Sequence, residues 1–558
     1  MERVWLKSYS PGVPADIDWG GLSSLRDVLE ASFSRFGDQV AYTCMGADLT
    51  FAELDRQSAA FGSWLQHGLR LPKGSRVAIM LPNVLQYPVA VIGVLRAGYV
   101  GVNCNPLYTP RELEHQLADS GAEAIVVLEN FAHTLEQVIG RTAVKAVVTT
   151  RVGDMLRFPK SAIVNFVVKR VKKAVPAFHL PGALTLDEAL SRGAPAPLER
   201  PPLSLDDLAF LQYTGGTTGV SKGAMLTHGN LLSNLLQVSY WVGDQIEEGR
   251  EVIITALPLY HIFALTANCL AFMKFGAKNV LIPNPRDIPG FVKELSRHRF
   301  SVITGVNTLF NALNHSPDFA RLDFSSLKLT LGGGMAVQRA VAQRWKEVTG
   351  NPILEAYGLT ETSPGACINP LRPGADFNGT VGLPLPSTVV TIRDDAGSVL
   401  PIGEVGEICI AGPQVMQGYW NRPDETAKVL LADGALRTGD IGTLDADGYV
   451  RIVDRKKDMI LVSGFNVYPN EVEDVVASMP GVLEVCAVSM PDEGSGEAVR
   501  VVVVPRDDSL TVDAIQAHCR ANLTNYKVPK VIELWKSLPK TNVGKVLRRE
   551  VKNTPVPR

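Results

Sequence analysis

Short apolar runs alternate with helix-like patterns along most of this chain. Amphipathic stretches such as Pro110–Ser120 and Val337–Thr349 have the spacing of helices that bury one face. The apolar runs are Val77–Leu81, Ala124–Leu128, Lys145–Thr149, Val280–Ile282, Ser301–Val306 and Leu327–Leu331. Because a strand that is apolar along its whole length needs cover on both faces, the alternation predicts an α/β fold built on largely parallel sheets.

The pattern changes near Gly379, where strand-like segments become short and closely spaced, with Gly, Pro and Asp between them. This change predicts a β-rich subdomain over about residues 379–454. Helix and strand patterns resume after the charged cluster DRKKD, residues 454–458. We therefore predict a large N-terminal domain over residues 1–454 and a small α+β C-terminal domain over residues 455–558.

Composition narrows the possible partners and the compartment. The 55 Lys and Arg residues nearly cancel the 57 Asp and Glu residues, so the formal charge is −2 and no general attraction to nucleic acid is expected. The seven cysteines are widely spaced and include no C-x-x-C pair, which favours free thiols over a disulfide framework or a zinc site. The N-terminal sequence has no apolar signal segment, which indicates a cytoplasmic protein.

One segment has the length of a membrane span. From Val252 to Met273 the chain contains no Asp, Glu, Lys or Arg. However, Pro258, Tyr260 and His261 interrupt the run. We therefore expect a buried strand that leaves through a loop, followed by a buried helix.

The most informative string is YTGGTTGVSKG, Tyr213–Gly223, which directly follows the apolar run Leu208–Leu211. Glycines let the backbone approach an anion closely, hydroxyls donate hydrogen bonds to oxygen, and a lysine adds positive charge. The string differs from a Walker A loop, because Ser221 precedes Lys222. We predict a polyphosphate-binding loop whose contacts come from Tyr213, Thr214, Gly215, Gly216, Thr217, Thr218, Gly219 and Lys222.

The loop resembles the signature loop of the acyl-adenylate-forming superfamily, and further motifs follow in that superfamily's order. They are LPLYHIFAL (257–265), GGGM (332–335), EAYGLTET (355–362), GEVGEICIAG (403–412), RTGDIG (437–442), DRKKDMILVSGFNVYPNEVE (454–473) and PKTNVGKVLRRE (539–550). Within the superfamily, NPLYTPRELEHQL (105–117) is similar to the bacterial ligases that join long-chain fatty acids to coenzyme A and feed β-oxidation.

The resemblance implies a reaction in two steps, with ATP, CoA and a fatty acid as substrates and Mg²⁺ as cofactor. The acid and ATP give acyl-AMP and pyrophosphate, and CoA then takes the acyl group. Ala435 and Leu265 depart from residues common in long-chain enzymes, Trp and an aromatic gate respectively. A ligase for medium-chain or aryl acids is therefore an alternative, and so is a non-catalytic fatty-acid-binding or uptake protein. The sequence does not indicate an oligomeric state.

The resemblance also implies three catalytic residues. Lys545 matches the lysine that bridges the acyl carboxylate and the α-phosphate, and an ordinary solvated lysine is the alternative. Thr360 matches a hydroxyl that contacts the α-phosphate. His261 matches a position near the acyl carboxylate and the channel for the thiol, and the alternative is a core histidine.

Nucleotide and metal contacts follow from the same motifs. Glu361 matches the carboxylate that holds Mg²⁺ on the phosphates, which suits a cation that needs only one or two carboxylates. Tyr357 matches the ring against the adenine, although taken singly it would be a core aromatic. Asp440 matches the acid that accepts hydrogen bonds from the ribose hydroxyls. Arg455 matches the cation beside that ribose or the phosphates. The remaining expected contacts are Gly333, Gly334, Glu355, Ala356 and Gly358.

Family members complete the second step by rotating the small domain, so the resemblance implies that residues 455–558 are mobile. Lys457 matches the hinge position, where few residues absorb the dihedral change. The rotation would remove Lys545 and bring in the segment that contains Gly464. That glycine would let the pantetheine chain of CoA pass close to the backbone.

A basic stretch indicates one further partner. Residues 155–179 contain six basic residues and no acid, and on a helical wheel one face is apolar: Val164, Val167, Val168, Val171 and Val175. Such a helix is typical of binding to an anionic membrane surface, which would make the protein peripheral on the inner face of the cytoplasmic membrane. A helix docked on the domain with a solvated basic face is the alternative.

Overall fold

The computed structural model describes residues 2–214, 221–492, 494–541 and 544–556. Within these ranges, two mainly parallel sheets dominate the large N-terminal part. The strands of the first lie in the order Leu383–Pro384, Gly365–Ile368, Ile353–Gly358, Leu329–Gly332, Val302–Gly305, Val252–Thr255, Lys278–Leu281, Val40–Cys44 and Ala47–Thr50. Those of the second lie in the order Leu184–Thr185, Ala146–Thr150, Ala124–Leu128, Arg76–Met80, Val100–Asn103, Leu208–Tyr213 and Gly223–Thr227.

Helices cover these sheets and supply most of the surrounding core. Several begin with a Thr side chain that accepts the backbone N–H three residues later; Thr109, before Pro110–Ser120, is one example. The α-helices of the large part are Leu25–Phe36, Phe51–Ser63, Gln86–Arg96, Pro110–Ser120, Ala132–Glu136, Lys160–Phe166, Leu186–Gly193, His228–Val242, Phe272–Lys274, Ile288–Leu295, Asn307–Asn314, Arg339–Thr349 and Pro423–Val429.

An antiparallel sheet follows the two parallel ones. Its strands are Val389–Arg393, Gly406–Ala411, Leu436–Leu444 and Val450–Arg455, paired in chain order. The central residues of Val389–Arg393 and Gly406–Ala411 are all buried, whereas burial alternates from Asp440 to Leu444 in the third strand. The sheet ends at Arg455, directly before the turn that leads to the C-terminal part.

The C-terminal part, which we call the cap (residues 459–556), has a sheet and a core of its own. Its strands are Ile460–Val462, Phe465–Val467, Val482–Asp492, Gly496–Pro505 and Val531–Leu534, and its α-helices are Pro469–Ala477, Val512–Asn522 and Arg548–Asn553. Buried side chains such as Val472, Val501 and Ile515 pack together in the cap core. The predicted fold class, α/β with a β-rich region and an α+β C-terminal part, is confirmed. The domain boundaries stay predictions.

The charge-free segment from Val252 to Met273 folds as the sequence predicted. The strand Val252–Thr255 is followed by a loop and by a π-helix, Ala264–Ala271, whose residues are all buried. Nowhere in the described ranges is a helix both long enough and apolar enough to cross a membrane.

The basic stretch differs from the prediction. The helix is shorter, Lys160–Phe166 continued by a π-helical turn over Val167–Val171. Val164, Val167 and Val168 of the predicted apolar face are partly buried on the large part. Val171 of the predicted face is exposed instead, and so are Phe158, Ile163 and Phe166, which lie outside that face. The reason is that the helix docks by one side of its valine face, and its flanking residues then point outward.

The cysteines are all buried free thiols, as the spacing favoured. They are Cys44, Cys104, Cys269, Cys367, Cys409, Cys486 and Cys519. Burial raises the pKa of each, for example to about 12 at Cys44 and about 11 at Cys269.

Candidate active site

The predicted phosphate loop joins two antiparallel strands, Leu208–Tyr213 and Gly223–Thr227. Gly215, Gly216, Thr217, Thr218 and Gly219 lie outside the described residues. The ends of the loop are held together, because the backbone N–H of Thr214 donates to the Lys222 carbonyl at 2.9 Å. The Tyr213 hydroxyl donates to the Asp119 carboxylate at 2.5 Å, so this phenol is tied to the helix Pro110–Ser120.

Lys222 is held by two side chains that the sequence analysis did not single out. Its ammonium group lies 2.9 Å from a carboxylate oxygen of Glu425 and 4.4 Å from the centre of the Tyr419 ring. Both ion-pair partners are partly buried. The positive charge predicted for the phosphates is therefore already oriented, and it is balanced by Glu425, whose pKa the two lysines Lys428 and Lys222 lower to about 2.

Thr360 and Glu361 lie side by side in a 3₁₀ turn that follows the strand Ile353–Gly358. The Tyr419 hydroxyl donates to the Glu361 carboxylate at 2.6 Å, and the Met416 N–H donates to the Glu361 carbonyl at 2.9 Å. Tyr419 thus contacts both Glu361 and Lys222. One ring links the carboxylate expected to bind the metal with the lysine expected to bind phosphate.

Magnesium fits this donor set. No group of three or more His, Cys, Asp or Glu side chains in the described ranges could hold a metal by itself. Glu361 nevertheless offers a carboxylate oriented by Tyr419, and Mg²⁺ commonly binds through one or two carboxylates completed by phosphate oxygens and water.

The expected adenine contacts meet at the ends of two neighbouring parallel strands. A Cβ on Gly333 would lie 3.2 Å from the Ala356 carbonyl, so the two segments approach closely. Gly334 has φ +79°, a backbone conformation that favours glycine. A Cβ on Gly358 would lie 1.8 Å from the Pro364 carbonyl, which leaves room for glycine alone.

Glu355, which was expected to contact the nucleotide, lies inside the protein. It is buried, and its carboxyl group accepts the Val337 N–H at 3.1 Å. Burial raises the pKa of Glu355 to about 8. This carboxyl therefore binds the 333–337 segment from inside the protein.

Tyr357 and Asp440 contact each other directly, although they belong to different sheets. The Tyr357 hydroxyl donates to Asp440 at 2.6 Å, and Arg455 lies 3.3 Å from the other carboxylate oxygen. Asp440 and Arg455 are directly opposite in the antiparallel pairing. Tyr357 is buried together with Asp440, and burial raises its pKa well above the usual range. A hydrogen bond and an ion pair thus join the three predicted nucleotide contacts at Asp440.

Lys545 reaches this group from the cap. It follows Gly544 in a tight loop in which its N–H donates to the Thr541 hydroxyl at 3.0 Å. The pKa of Lys545 is lowered to about 7, mainly by burial; the charge of Arg455 contributes to the lowering and that of Asp440 opposes it. An ordinary solvated lysine would not have this environment.

His261 lies close enough to Lys545 to be affected by its charge, in the loop before the helical turn that contains Phe263. Its Nδ1 accepts the Phe263 N–H at 3.3 Å. Burial lowers the pKa of His261 to about 4, and the charge of Lys545 adds to the effect. His261 is therefore neutral at pH 7, and its surroundings include the cap lysine.

Lys457 and Gly464 are the residues predicted for the second step. Lys457 lies in the turn that leads to the cap, and Gly464 lies on the cap itself. Lys457 is in the turn between the strands Val450–Arg455 and Ile460–Val462, and burial together with Arg455 lowers its pKa. Gly464 is at the exposed tip of a hairpin, with φ +84°, and no atom lies within 4 Å of the position that a Cβ would take there.

Sequence reasoning missed Tyr419 and Glu425. Both belong to the segment GYWNRPDE, residues 418–425, which follows the strand Gly406–Ala411 and carries no recognisable local pattern. Tyr419 is 58 positions from its partner Glu361 in the sequence, and Glu425 is 203 positions from its partner Lys222. The nearest available signal was an aromatic pair next to a helix start at Pro423.

Comparisons with known proteins show the family of this chain. The model of the AMP-binding enzyme family matches residues 29–420, and that of the AMP-binding enzyme C-terminal domain matches residues 471–545. A long-chain-fatty-acid–CoA ligase of Escherichia coli O6:H1 is 56% identical over 554 residues, which cover 99% of this chain and 98% of the relative.

Solved structures have the same fold. The anthranilate–CoA ligase AuaEII with anthranoyl-AMP has a TM-score of 0.85 at 24% identity, over 96% of this chain and 98% of that chain. ATP-bound MatB from Rhodopseudomonas palustris has a TM-score of 0.78 at 28% identity, over 95% and 98%. With the family models matching most of its length, the chain belongs to the AMP-binding enzyme family, the acyl-adenylate-forming superfamily that its motifs resemble.

Proposed function

We propose that this protein is a long-chain fatty-acid–CoA ligase. The observation that carries the proposal is the buried position of Lys545 within electrostatic range of Asp440 and Arg455, in a chain similar over its whole length to a ligase of that name. A lysine of the cap that is buried near Asp440, the residue expected to bind the ribose, is suited to neutralising a carboxylate and an α-phosphate that approach each other there.

The first step joins two anions. One carboxylate oxygen of the fatty acid forms a bond to the α-phosphorus of ATP, the bond to the bridging oxygen breaks, and pyrophosphate leaves with the electron pair. Lys545 would neutralise the carboxylate and the α-phosphate, and the Thr360 hydroxyl would donate to the same phosphate. His261, neutral at pH 7, would serve as a hydrogen-bonding ring beside the carboxylate.

ATP would bind where the parallel sheet that contains Ile353–Gly358 meets the antiparallel sheet that contains Leu436–Leu444. Tyr357, Ala356 and Gly358 would contact the adenine from the strand Ile353–Gly358, while Gly333 and Gly334 allow close approach. Asp440 would accept the ribose hydroxyls with Arg455 beside it. The loop residues Thr214 and Lys222 would contact the phosphates.

Magnesium would bind at Glu361, where it neutralises charge on the phosphates. Tyr419 holds the carboxylate in place by its hydrogen bond. Lys222 is paired with Glu425 at 2.9 Å.

The second step exchanges one acyl bond for another. The CoA sulfur forms a bond to the acyl carbon, the bond from that carbon to AMP breaks, and the thiol proton passes to solvent. We propose that the cap rotates about Lys457 between the steps, so that Lys545 leaves and Gly464 approaches the thiol path.

Fatty-acid-dependent release of pyrophosphate from ATP, followed by acyl transfer to CoA, tests the proposal. We expect turnover with long-chain acids, loss of acyl-adenylate formation in Lys545→Ala, and largely intact thioester formation from preformed acyl-AMP. A protein that binds fatty acid without releasing pyrophosphate would be the binding or uptake protein instead. A preference for medium-chain or aryl acids across an acid series would contradict the long-chain assignment.

We also infer that the basic stretch binds anionic lipid at the inner face of the cytoplasmic membrane. Phe158, Ile163, Phe166 and Val171 are between 58% and 85% exposed. Exposed Arg157, Arg170, Lys172 and Lys173 lie in the same stretch. Apolar side chains flanked by cations match the acyl boundary and the headgroups of an anionic bilayer.

Sedimentation with vesicles tests this surface. We expect binding to phosphatidylglycerol vesicles at low salt, weak binding to phosphatidylcholine, and loss of binding in Phe158→Ser/Phe166→Ser and after neutralisation of Lys169, Arg170, Lys172 and Lys173. Equal binding by both variants would rule out this surface.

A further inference from the structure

Two side chains of the helix Asn307–Asn314 hydrogen-bond the cap. The Thr308 hydroxyl donates to the Gly544 carbonyl at 3.0 Å, and the Asn311 amide donates to the Leu483 carbonyl at 2.8 Å. The two residues are three positions apart and therefore share one face of the helix. We call this pair of contacts the clasp.

The first contact lies next to the catalytic lysine. Gly544 has φ +87°, and a Cβ there would lie 2.7 Å from the Thr308 hydroxyl oxygen and 3.4 Å from a methyl carbon of Val306. Gly544 therefore packs tightly on the large part. Lys545 is the next residue, so a hydrogen bond at Gly544 limits where its backbone can lie.

Backbone hydrogen bonds tie Gly544 and Lys545 to Thr541, at the base of the loop that carries the lysine, which we call the lysine loop. The Thr541 N–H donates to the Lys545 carbonyl at 2.7 Å, and the Gly544 N–H donates to the Thr541 carbonyl at 3.0 Å. Lys540 and Val546 pair on either side of the loop. A hydrogen bond that holds Gly544 therefore also restrains Thr541 and Lys545, which are bonded to the same short stretch of backbone.

The second contact holds the cap sheet. Leu483 belongs to the long strand Val482–Asp492, at the point where its pairing with the neighbouring strand shifts register between Val482 and Glu484. Its carbonyl accepts from Asn311 instead. The clasp therefore fixes the cap at two separate points, one on the lysine loop and one on the sheet, and two points define an orientation better than one.

We propose that Thr308 and Asn311 are positioning residues that hold the cap in the orientation in which Lys545 reaches the adenylation site. The proposal rests on the proposed function, in which the cap rotates away before thioester formation. Both hydrogen bonds have to break in that rotation, since one partner of each lies on either side of the turn that contains Lys457. The clasp favours the first step and makes no contribution to the second.

Two half-reactions measured separately test the clasp. Adenylation is followed by fatty-acid-dependent exchange of pyrophosphate into ATP, and thioester formation by acyl transfer from prepared acyl-AMP to CoA. In Thr308→Val and Asn311→Leu, which keep the shape of each side chain, we expect exchange to fall about five- to tenfold, the size expected for one hydrogen bond. Thioester formation is expected to stay at the wild-type rate or to rise. Thr308→Ser keeps the hydroxyl and should retain exchange.

Asn314→Leu is the matched control. Asn314 lies on the same helix, but its amide donates to the Val341 carbonyl at 3.0 Å within the large part. This variant should change the two half-reactions equally, if at all. Unchanged exchange in both clasp variants, or an equal fall of both half-reactions, would overturn the clasp. Wild-type protein without fatty-acid-dependent exchange would instead overturn the proposed function, and the clasp with it.

Discussion

The Tyr357 hydroxyl donates a hydrogen bond to the Asp440 carboxylate at 2.6 Å, although 83 positions separate the two residues. Tyr357 belongs to a strand of a mainly parallel sheet, and Asp440 to the antiparallel sheet that precedes the cap. The contact therefore fixes the expected adenine ring contact and the expected ribose contact relative to each other. It makes the nucleotide site a joint property of two sheets.

Replacing Tyr357 by Phe tests this relationship. The ring remains for the adenine, but Asp440 loses its buried donor, so we expect KM for ATP to rise about tenfold. Steady-state kinetics with ATP as the varied substrate measure the change. Tyr99→Phe removes a comparable hydroxyl, which donates to the Leu71 carbonyl at 2.9 Å, and should leave KM for ATP unchanged. An unaltered KM in Tyr357→Phe would mean that Asp440 needs no support.

Removing the Tyr419 hydroxyl separates the metal contact from the phosphate contact. In Tyr419→Phe, Glu361 loses its 2.6 Å hydrogen bond, whereas the ring beneath Lys222 remains. We expect the Mg²⁺ concentration for half-maximal pyrophosphate release to rise about three- to tenfold, because the carboxylate is less well oriented. A titration with Mg²⁺ at fixed ATP measures it. The same Mg²⁺ requirement in the variant would argue against Glu361 as a metal contact.

The pH dependence of adenylation should report Lys545. Its pKa is lowered to about 7, so the side chain is charged below that pH and neutral above it. We expect kcat/KM for the fatty acid in the first half-reaction to decline above about pH 7, since the charged form is the active one. Lys545→Arg stays charged throughout the range, so its lower activity should lack this decline. A decline that persists in Lys545→Arg would have to be assigned to another group.

Folding stability should fall at mildly acidic pH through His228. This ring is buried, its Nδ1 accepts the Leu25 N–H at 3.3 Å, and burial lowers its pKa from 6.5 to about 4. The unfolded chain therefore binds the extra proton first, and stability is lost as the pH drops from about 6.5 towards 4, by up to about 3 kcal/mol.

Urea unfolding at several pH values, compared with His228→Asn, measures this contribution. Carboxylates titrate equally in both proteins, so the difference between the two curves isolates the histidine. We expect the wild type to lose more stability than the variant between pH 7 and pH 4.5. Parallel curves would indicate that His228 is protonated without cost in the folded protein.

Local patterns predicted the elements well, because each pattern is a property of neighbouring residues. The strand Ala124–Leu128 and the helix Pro110–Ser120 have the predicted bounds, and the strand predicted at Lys145–Thr149 is shifted by one residue to Ala146–Thr150. The basic helix was predicted too long, since a helical wheel shows which residues share a face but does not show where the helix begins and ends.

The candidate site was predictable only where a motif marked it. Lys545, Asp440 and Arg455 were identified through resemblance, and the structure brings them together. Glu425 was not, because its pairing with Lys222 depends on how the segment after the strand Gly406–Ala411 packs on the phosphate loop. Long-range pairs of this kind leave no periodic trace in one sequence.

The seven buried cysteines acquire a meaning from the reaction. Acyl-adenylates are electrophiles that any accessible thiolate can attack, and a thiol becomes reactive only when it is exposed and ionised. Each cysteine here is buried with a raised pKa, for example about 11 at Cys409 and at Cys519. The protein therefore offers its activated intermediate no competing sulfur of its own. Burial of these thiols would then be one reason why acyl groups are transferred to coenzyme A and not to a cysteine of the protein.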